Sequence, residues 1–238
     1  MRIRLFTIPN LLTLSNLVCG AMGVVAALAG HDLTAAFALM VAAAAFDFLD
    51  GFAARLLGQS GPLGVQLDSL ADDVSFGLLP AMMLYVLYGC MPGLWLPDWA
   101  GASVLVVAAC AALRLAKFNI DPTQRTEFCG LPSPAAALLC ASLGMLAQRQ
   151  GATVPREGIV AVAVAVSCLM VSDIRMFALK FHGWGWRENR LRYLFLGAAA
   201  VLAATLRAWA VPAIVALYVA VSTVRHFACR TAGSEPSN

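Results

Sequence analysis

The chain has 238 residues, of which 61% are hydrophobic and only 12% charged, with a net charge of +3 and a mean hydropathy of +0.81. A soluble domain is about half apolar and roughly a quarter charged, so these proportions exclude an ordinary water-soluble protein. They mark an integral membrane protein, whose elements must be helices or a closed barrel, and no nucleic-acid partner is expected.

The apolar runs are continuous over about 20 residues, the length of a helix that crosses a bilayer. Barrel strands would alternate over about 10. The fold class is therefore all-α, a polytopic transmembrane helical bundle. The first run, Leu11 to Ala29, is longer than the 7–15 apolar residues of about the usual signal peptide, and predicts a retained helix over 9–30. Asn10, Thr13 and Asn16 make one polar stripe on it. Asn10 can cap its start, and Asn16, deeper, is expected to line a pocket together with Asn10 and Thr13. A Gly30-His31-Asp32 turn leads to a second span over 33–57, and "GQSGPLG" (58–64) to a third over 68–90. The segment "GCMPGLWLPDW" (89–99) carries the Pro and Trp of an interfacial loop. Further spans are expected over 100–120, 132–149, 157–180, 191–209 and 211–229, with Pro212 marking a tight turn into the last. The tail 230–238 has the composition of a disordered segment. The seven cysteines form no C-x-x-C pair and read as small buried hydrophobes.

Lys and Arg set the orientation. With the N-terminus inside, only Arg149, Arg156 and Arg207 fall outside, leaving 13 of the 16 basic residues on the cytoplasmic face. The expected setting is the cytoplasmic (inner) membrane, both termini and the second turn facing the cytoplasm.

That turn is flanked by carboxylates. Asp47 and Asp50 are three apart, and Asp68 and Asp72 four apart, so each pair shares a helix face. Two antiparallel helices joined by a short turn bring the four together at one membrane–water boundary. Gly51, Ala54 and Gly64 beside them are small enough to admit a ligand. Arg55 is the one base in the stretch and cannot offset four negative charges, whereas divalent cations can. Paired metals on carboxylates suit displacement at phosphorus. On spacing alone the rivals are a cation or proton pathway through the membrane and a solvated or salt-bridged helix end.

The pattern D-x-x-D-G-x-x-A-R-x8-G-x-x-x-D-x-x-x-D, present as Asp47, Asp50, Gly51, Ala54, Arg55, Gly64, Asp68 and Asp72, resembles the signature of the CDP-alcohol phosphatidyltransferases. The resemblance implies an enzyme that transfers the phosphatidyl group of a CDP-linked lipid to an alcohol and releases CMP. It implies a six-helix core over 1–180, here followed by two additional helices over 181–229, and a homodimer. It further implies two divalent cations, Mg²⁺ or Mn²⁺ with Ca²⁺ possible, on Asp47, Asp50, Asp68 and Asp72. Asp50, Gly51, Ala54, Arg55, Gly64 and Asp68 would bind CDP, and Asp72 would be the catalytic base. Asp73 departs from the pattern's usual apolar residue and is expected to be a water-exposed neighbour.

The segments "IPNLLTLSNLVCG" (8–20), "LDSLADDVSFGLLPA" (67–81), "RLAKFNI" (114–120) and "GLPSPAAA" (130–137) are similar to the serine-using branch of that family, whose substrates are CDP-diacylglycerol and L-serine. Serine's carboxylate calls for Arg or Lys. Arg114 and Lys117, with Asn119 and Arg175, are the candidates, although basic residues near helix ends also snorkel to the interface. Glycerol phosphate, inositol phosphate and choline stay open as acceptors. Lys180, Arg187, Arg190 and Arg192 are expected to attract the headgroups of membrane lipids, and Ser133, beside Pro134, to start a helix. None of the three histidines begins a His-x-Lys pair, which excludes phospholipase-D-like chemistry.

Overall fold

The computed structural model describes residues 5–121, 128–176 and 186–232, with the backbone alone at 128, 186–188 and 228–232. Lys180, the side chain of Arg187 and the expected disordered tail beyond 232 lie outside the described residues. The described chain is helical almost throughout: α1 (Ile8–Leu28), α2 (Leu33–Leu56), α3 (Pro62–Asp72), α4 (Leu79–Cys90), α5 (Val106–Ile120), α6 (Ser133–Gln150), α7 (Arg156–Val171), α8 (Trp186–Leu206) and α9 (Ala210–Ala232). Two-residue strands β1 (Phe128–Cys129) and β2 (Arg175–Met176) pair antiparallel. Five stretches among the described residues are long and apolar enough to cross a membrane: 8–28, 33–56, 62–90, 98–120 and 189–227, the last running through α8 and α9.

Residues 62–90 form one continuous central rod. A π-helical segment, Asp73–Leu78, joins α3 to α4. The cause is local. Pro80 has no N–H to continue the ladder, and the N–H of Leu79 reaches back five residues to the carbonyl of Val74. The rod carries much of the core, with Phe76, Leu79, Met83, Leu84 and Leu87 nearly or fully buried. Large apolar residues such as Val25, Phe48, Leu113 and Val224 instead cover the outer faces, as lipid contact requires.

α1 packs against the π segment at very short range. A Cβ on Gly20 would fall 2.3 Å from the Ser75 hydroxyl oxygen, and one on Gly23 would meet Leu79. The Ser75 hydroxyl donates to the Asn16 carbonyl at 3.1 Å. Small residues therefore let α1 slide against the central rod and fix its polar stripe there.

Several expectations need correction. The third helix starts at Pro62 rather than 68, with proline in its first turn. The sixth stops at Val171 rather than 180. Ser172 turns extended and its hydroxyl donates to the Leu169 carbonyl, and the chain then pairs sideways with 128–131. Gly130, at φ +78°, allows that approach, since a Cβ there would lie 2.3 Å from the Met170 carbonyl oxygen. Thr7, not Asn10, caps α1, accepting from the Asn10 N–H. Of the described cysteines only Cys140 is buried, and Cys90 and Cys168 are exposed.

Candidate active site

The turn between α2 and α3 brings together side chains from three helices. Carboxylate oxygens of Asp47, Asp50 and Asp68 lie within 4.8 Å of one another. Asp47 and Asp68 stand within hydrogen-bonding reach, so a proton or a cation has to come between them. Asp68 also holds a buried oxygen, Oδ1, that takes no hydrogen bond. Neither the Lys117–Asp173 nor the Arg156–Asp98 ion pair involves these aspartates. Hard oxygen donors, crowded and left without an internal base, fit Mg²⁺, Mn²⁺ or Ca²⁺.

Asp72 stands outside that triplet, one turn further along α3, in electrostatic reach of Asp47 and Asp68. Its Oδ1 accepts from Asn16 Nδ2 at 3.1 Å. Asn16 is fully buried, and its own Oδ1 takes no hydrogen bond. Thr13 donates to Asp50 Oδ2. The polar stripe on α1 thus supports the aspartates from above. Residue spacing suggests a stripe, but that it meets Asp50 and Asp72 is a matter of helix packing.

A cavity of about 150 Å³ opens beside the triplet, lined by Pro9, Asn10, Thr13, Asp50, Gly51, Ala54, Gln59, Ser60, Gly61, Gly64, Val65 and Asp68. Five of the six residues expected along CDP are there. Arg55 is exposed and does not line it, although its Nη1 is 4.0 Å from where a Gly51 Cβ would stand. Asn10 and Thr13 line it as expected, and Asn16 sits behind. Gln59, Ser60 and Gly61 were not singled out by the spacing argument. Their signal was available, because a polar turn between two carboxylate-bearing helices must edge whatever those helices enclose.

Asp73 turns onto the α5 side. Its Oδ1 is buried and takes no hydrogen bond, and it lies where a Cβ on Gly77 would come, beside Ala111. The expectation of a water-exposed neighbour is corrected: the wide π turn beginning at Asp73 carries it against α5.

A second cavity, about 280 Å³, is lined by Leu113, Arg114, Lys117, Cys129, Met170 and Val171. Arg114 is only 9% exposed, donates from Nη1 to Ser133 Oγ at 2.8 Å, and lies in electrostatic reach of Asp72. Its Nε is buried and takes no partner. Lys117 pairs with Asp173 at 2.7 Å, a hydrogen bond that holds the Asp173 carboxyl below its ordinary range. Arg175 enters through the strand pair, in register with Cys129. Asn119 does not line this cavity, and donates to Ser69 on α3. The structure therefore joins Arg114 and Lys117, sets Arg175 on the β1–β2 pair, and leaves Asn119 on another side.

A sequence profile described as CDP-alcohol phosphatidyltransferase matches residues 6–181. Curated relatives named CDP-diacylglycerol–serine O-phosphatidyltransferase are similar to the chain. The Mycobacterium tuberculosis protein is 39% identical over 152 residues, 61% of this chain and 50% of that protein. The Bacillus subtilis protein is 35% identical over 133 residues, 55% of this chain and 71% of its own length. The Helicobacter pylori protein is 32% identical over 198 residues, 81% of both. The aligned region spans about half the length of the mycobacterial relatives.

Proposed function

The chain belongs to the CDP-alcohol phosphatidyltransferases, and from that premise we propose that it transfers a phosphatidyl group from CDP-diacylglycerol to L-serine, giving phosphatidylserine and CMP. The observation that carries the reading is the gathering of Asp47, Asp50 and Asp68 within 4.8 Å beside a cavity edged by Gly51, Ala54 and Gly64. The choice of serine rests on the names of the relatives and on a buried arginine in the neighbouring cavity.

Held by Asp47, Asp50, Asp68 and Asp72, two divalent cations would supply the positive charge that binds the diphosphate and offsets charge on the departing CMP. The small residues Gly51, Ala54 and Gly64 admit the nucleotide, and Asp50 and Asp68 orient its diphosphate. Arg55, at the exposed end of α2, reaches toward its outer edge. Arg114 and Lys117 bind serine's carboxylate, with Arg175 at the margin of the same site, while Asn119, bonded to Ser69, stays on the α3 side. Asp72, oriented by Asn16, takes the proton from the serine hydroxyl. The serine oxygen then bonds to the lipid-side phosphorus as the bond to the CMP oxygen breaks. The enzyme works as a homodimer in the cytoplasmic membrane, its site open to the cytoplasm, a setting supported by the bias of Lys and Arg toward that face.

The test supplies purified protein with Mn²⁺, CDP-diacylglycerol and one acceptor at a time: serine, glycerol phosphate, inositol phosphate or choline. CMP release is expected with serine. Release that ignores serine and follows another alcohol ends the serine reading. Cation flux in liposomes with no CMP under any acceptor ends the enzymatic one.

A further inference from the structure

We propose that α9, which lies beyond the family match, is a working part of the acceptor site: Tyr218 positions Arg114, and His226 positions the β1–β2 pair that walls the same cavity. The inference rests on the acceptor site described above.

The family match ends at residue 181, yet α9 packs back on α6 and on β2. Tyr218, Ser222 and His226 recur every four residues and so share one face of α9. Tyr218 is 8% exposed and Ser222 fully buried. A helix that only filled space against lipid and core would present apolar side chains there, since polar groups inside a membrane bundle are costly unless they serve a partner.

Neither end of this face lines the 280 Å³ cavity, yet each stands behind one of its walls. At one end, the Tyr218 ring packs edge-on against Phe195 of α8, centroids 5.9 Å apart. Its hydroxyl stands in electrostatic reach of the Arg114 guanidinium. Arg114 is held by Ser133 at Nη1 and lies in the electrostatic field of Tyr218, while its buried Nε remains open to a ligand. Two turns along α9, the Nδ1 of His226 accepts the Arg175 N–H at 3.2 Å. Arg175 is the register partner of Cys129, which lines the cavity. One helix therefore spans from the neighbourhood of the arginine to the β1–β2 pair. An acceptor bound between them needs their separation held to within a fraction of an ångström.

The experiment compares wild type with Tyr218→Phe, His226→Leu and His226→Asn in detergent, recording kcat, the KM of each substrate and the melting temperature. Tyr218→Phe keeps the ring on Phe195 and removes only the hydroxyl. Serine KM is expected to rise about five- to tenfold, as loss of one polar group that orients a buried charge does, with kcat and the CDP-diacylglycerol KM within about twofold of wild type. His226→Leu should act in the same direction, and His226→Asn, whose side-chain oxygen can accept the Arg175 N–H, should restore serine KM. Unchanged serine KM in both Tyr218→Phe and His226→Leu overturns the proposal. So does a fall of all parameters in step with melting temperature, the mark of packing alone. Should His226→Leu not fold, Tyr218→Phe decides. If wild type prefers a different alcohol, the serine reading fails by itself, and the same variants are read on that alcohol's KM.

Discussion

At the end of the bundle formed by the 28–33, 90–98 and 150–156 connections, Arg156, Glu157 and Gln148 tie loops to helices; at the other end, the aspartates flanking the 56–62 turn crowd one another instead. Arg156 donates from Nε to the carbonyls of Tyr88 and Met91 and from Nη1 to Asp98, and lies over the Tyr88 ring at 5.0 Å. One oxygen of Glu157 accepts the backbone N–H groups of Leu94, Trp95 and Leu96. Gln148 accepts from the Thr34 N–H and donates to the His31 carbonyl. Loops there are sewn to helices by these side chains, with Oε2 of Glu157 left buried and without a partner. Around Asp47, Asp50, Asp68 and Asp72 the same chain leaves like charges crowded and an oxygen of Asp68 without a donor. The first arrangement stabilises; the second is a crowding of like charge that a bound cation would relieve. Polarity inside this protein is therefore of two kinds, and the crowding of like charges, rather than a single unpaired oxygen, separates them.

The comparison can be broken most directly at the aspartates. Asp68→Asn, or chelation of divalent cations in the wild type, should lower CMP release by roughly 10²–10⁴-fold, the scale of losing an acid–base or charge-stabilising group. Melting temperature without added metal should hold or rise, because a repulsive charge is gone. A clear loss of stability in Asp68→Asn would mean that the cluster is structural after all. Asp72→Asn should cost about as much turnover while retaining CDP-lipid binding, measured by protection from thermal denaturation; wild-type rates would be incompatible with its role as base.

At the opposite end the effects should fall on stability. Arg156→Ala removes three hydrogen bonds and the ring contact and should cost about 2 kcal/mol, read as a lower melting temperature with kcat per folded molecule unchanged. Gly64→Leu should act on affinity alone. The glycine faces the nucleotide cavity with Asn10 as its nearest neighbour, so a large side chain should raise the CDP-diacylglycerol KM by roughly tenfold. The smallest change is expected of Asp173→Asn, since the Lys117–Asp173 pair is exposed, 46% and 88% for the two side chains; melting should not move measurably.

The carboxylate pairs were legible because they lie within single helices. A three- or four-residue step on a helix fixes the face whatever the helix packs against, and a short turn then leaves two such faces little choice but to meet. The length of the apolar runs fixed the helical class in the same way. The boundary errors have physical causes too: proline opened α3 early at Pro62 and forced the π segment at Pro80, and Ser172 ended α7 where hydropathy ran on.

Other facts depended on which helix surfaces touch. That Asn16 reaches Asp72, that Arg114 sits buried with an open Nε, that Asp73 faces α5, and that α9 returns to the β1–β2 pair all depend on helix crossings, eased by small residues such as Gly20 and Gly130. Spacing along a chain determines periodicity and local charge, because backbone geometry imposes them residue by residue. Contacts between helices depend on how whole surfaces interlock, and only the folded molecule decides those.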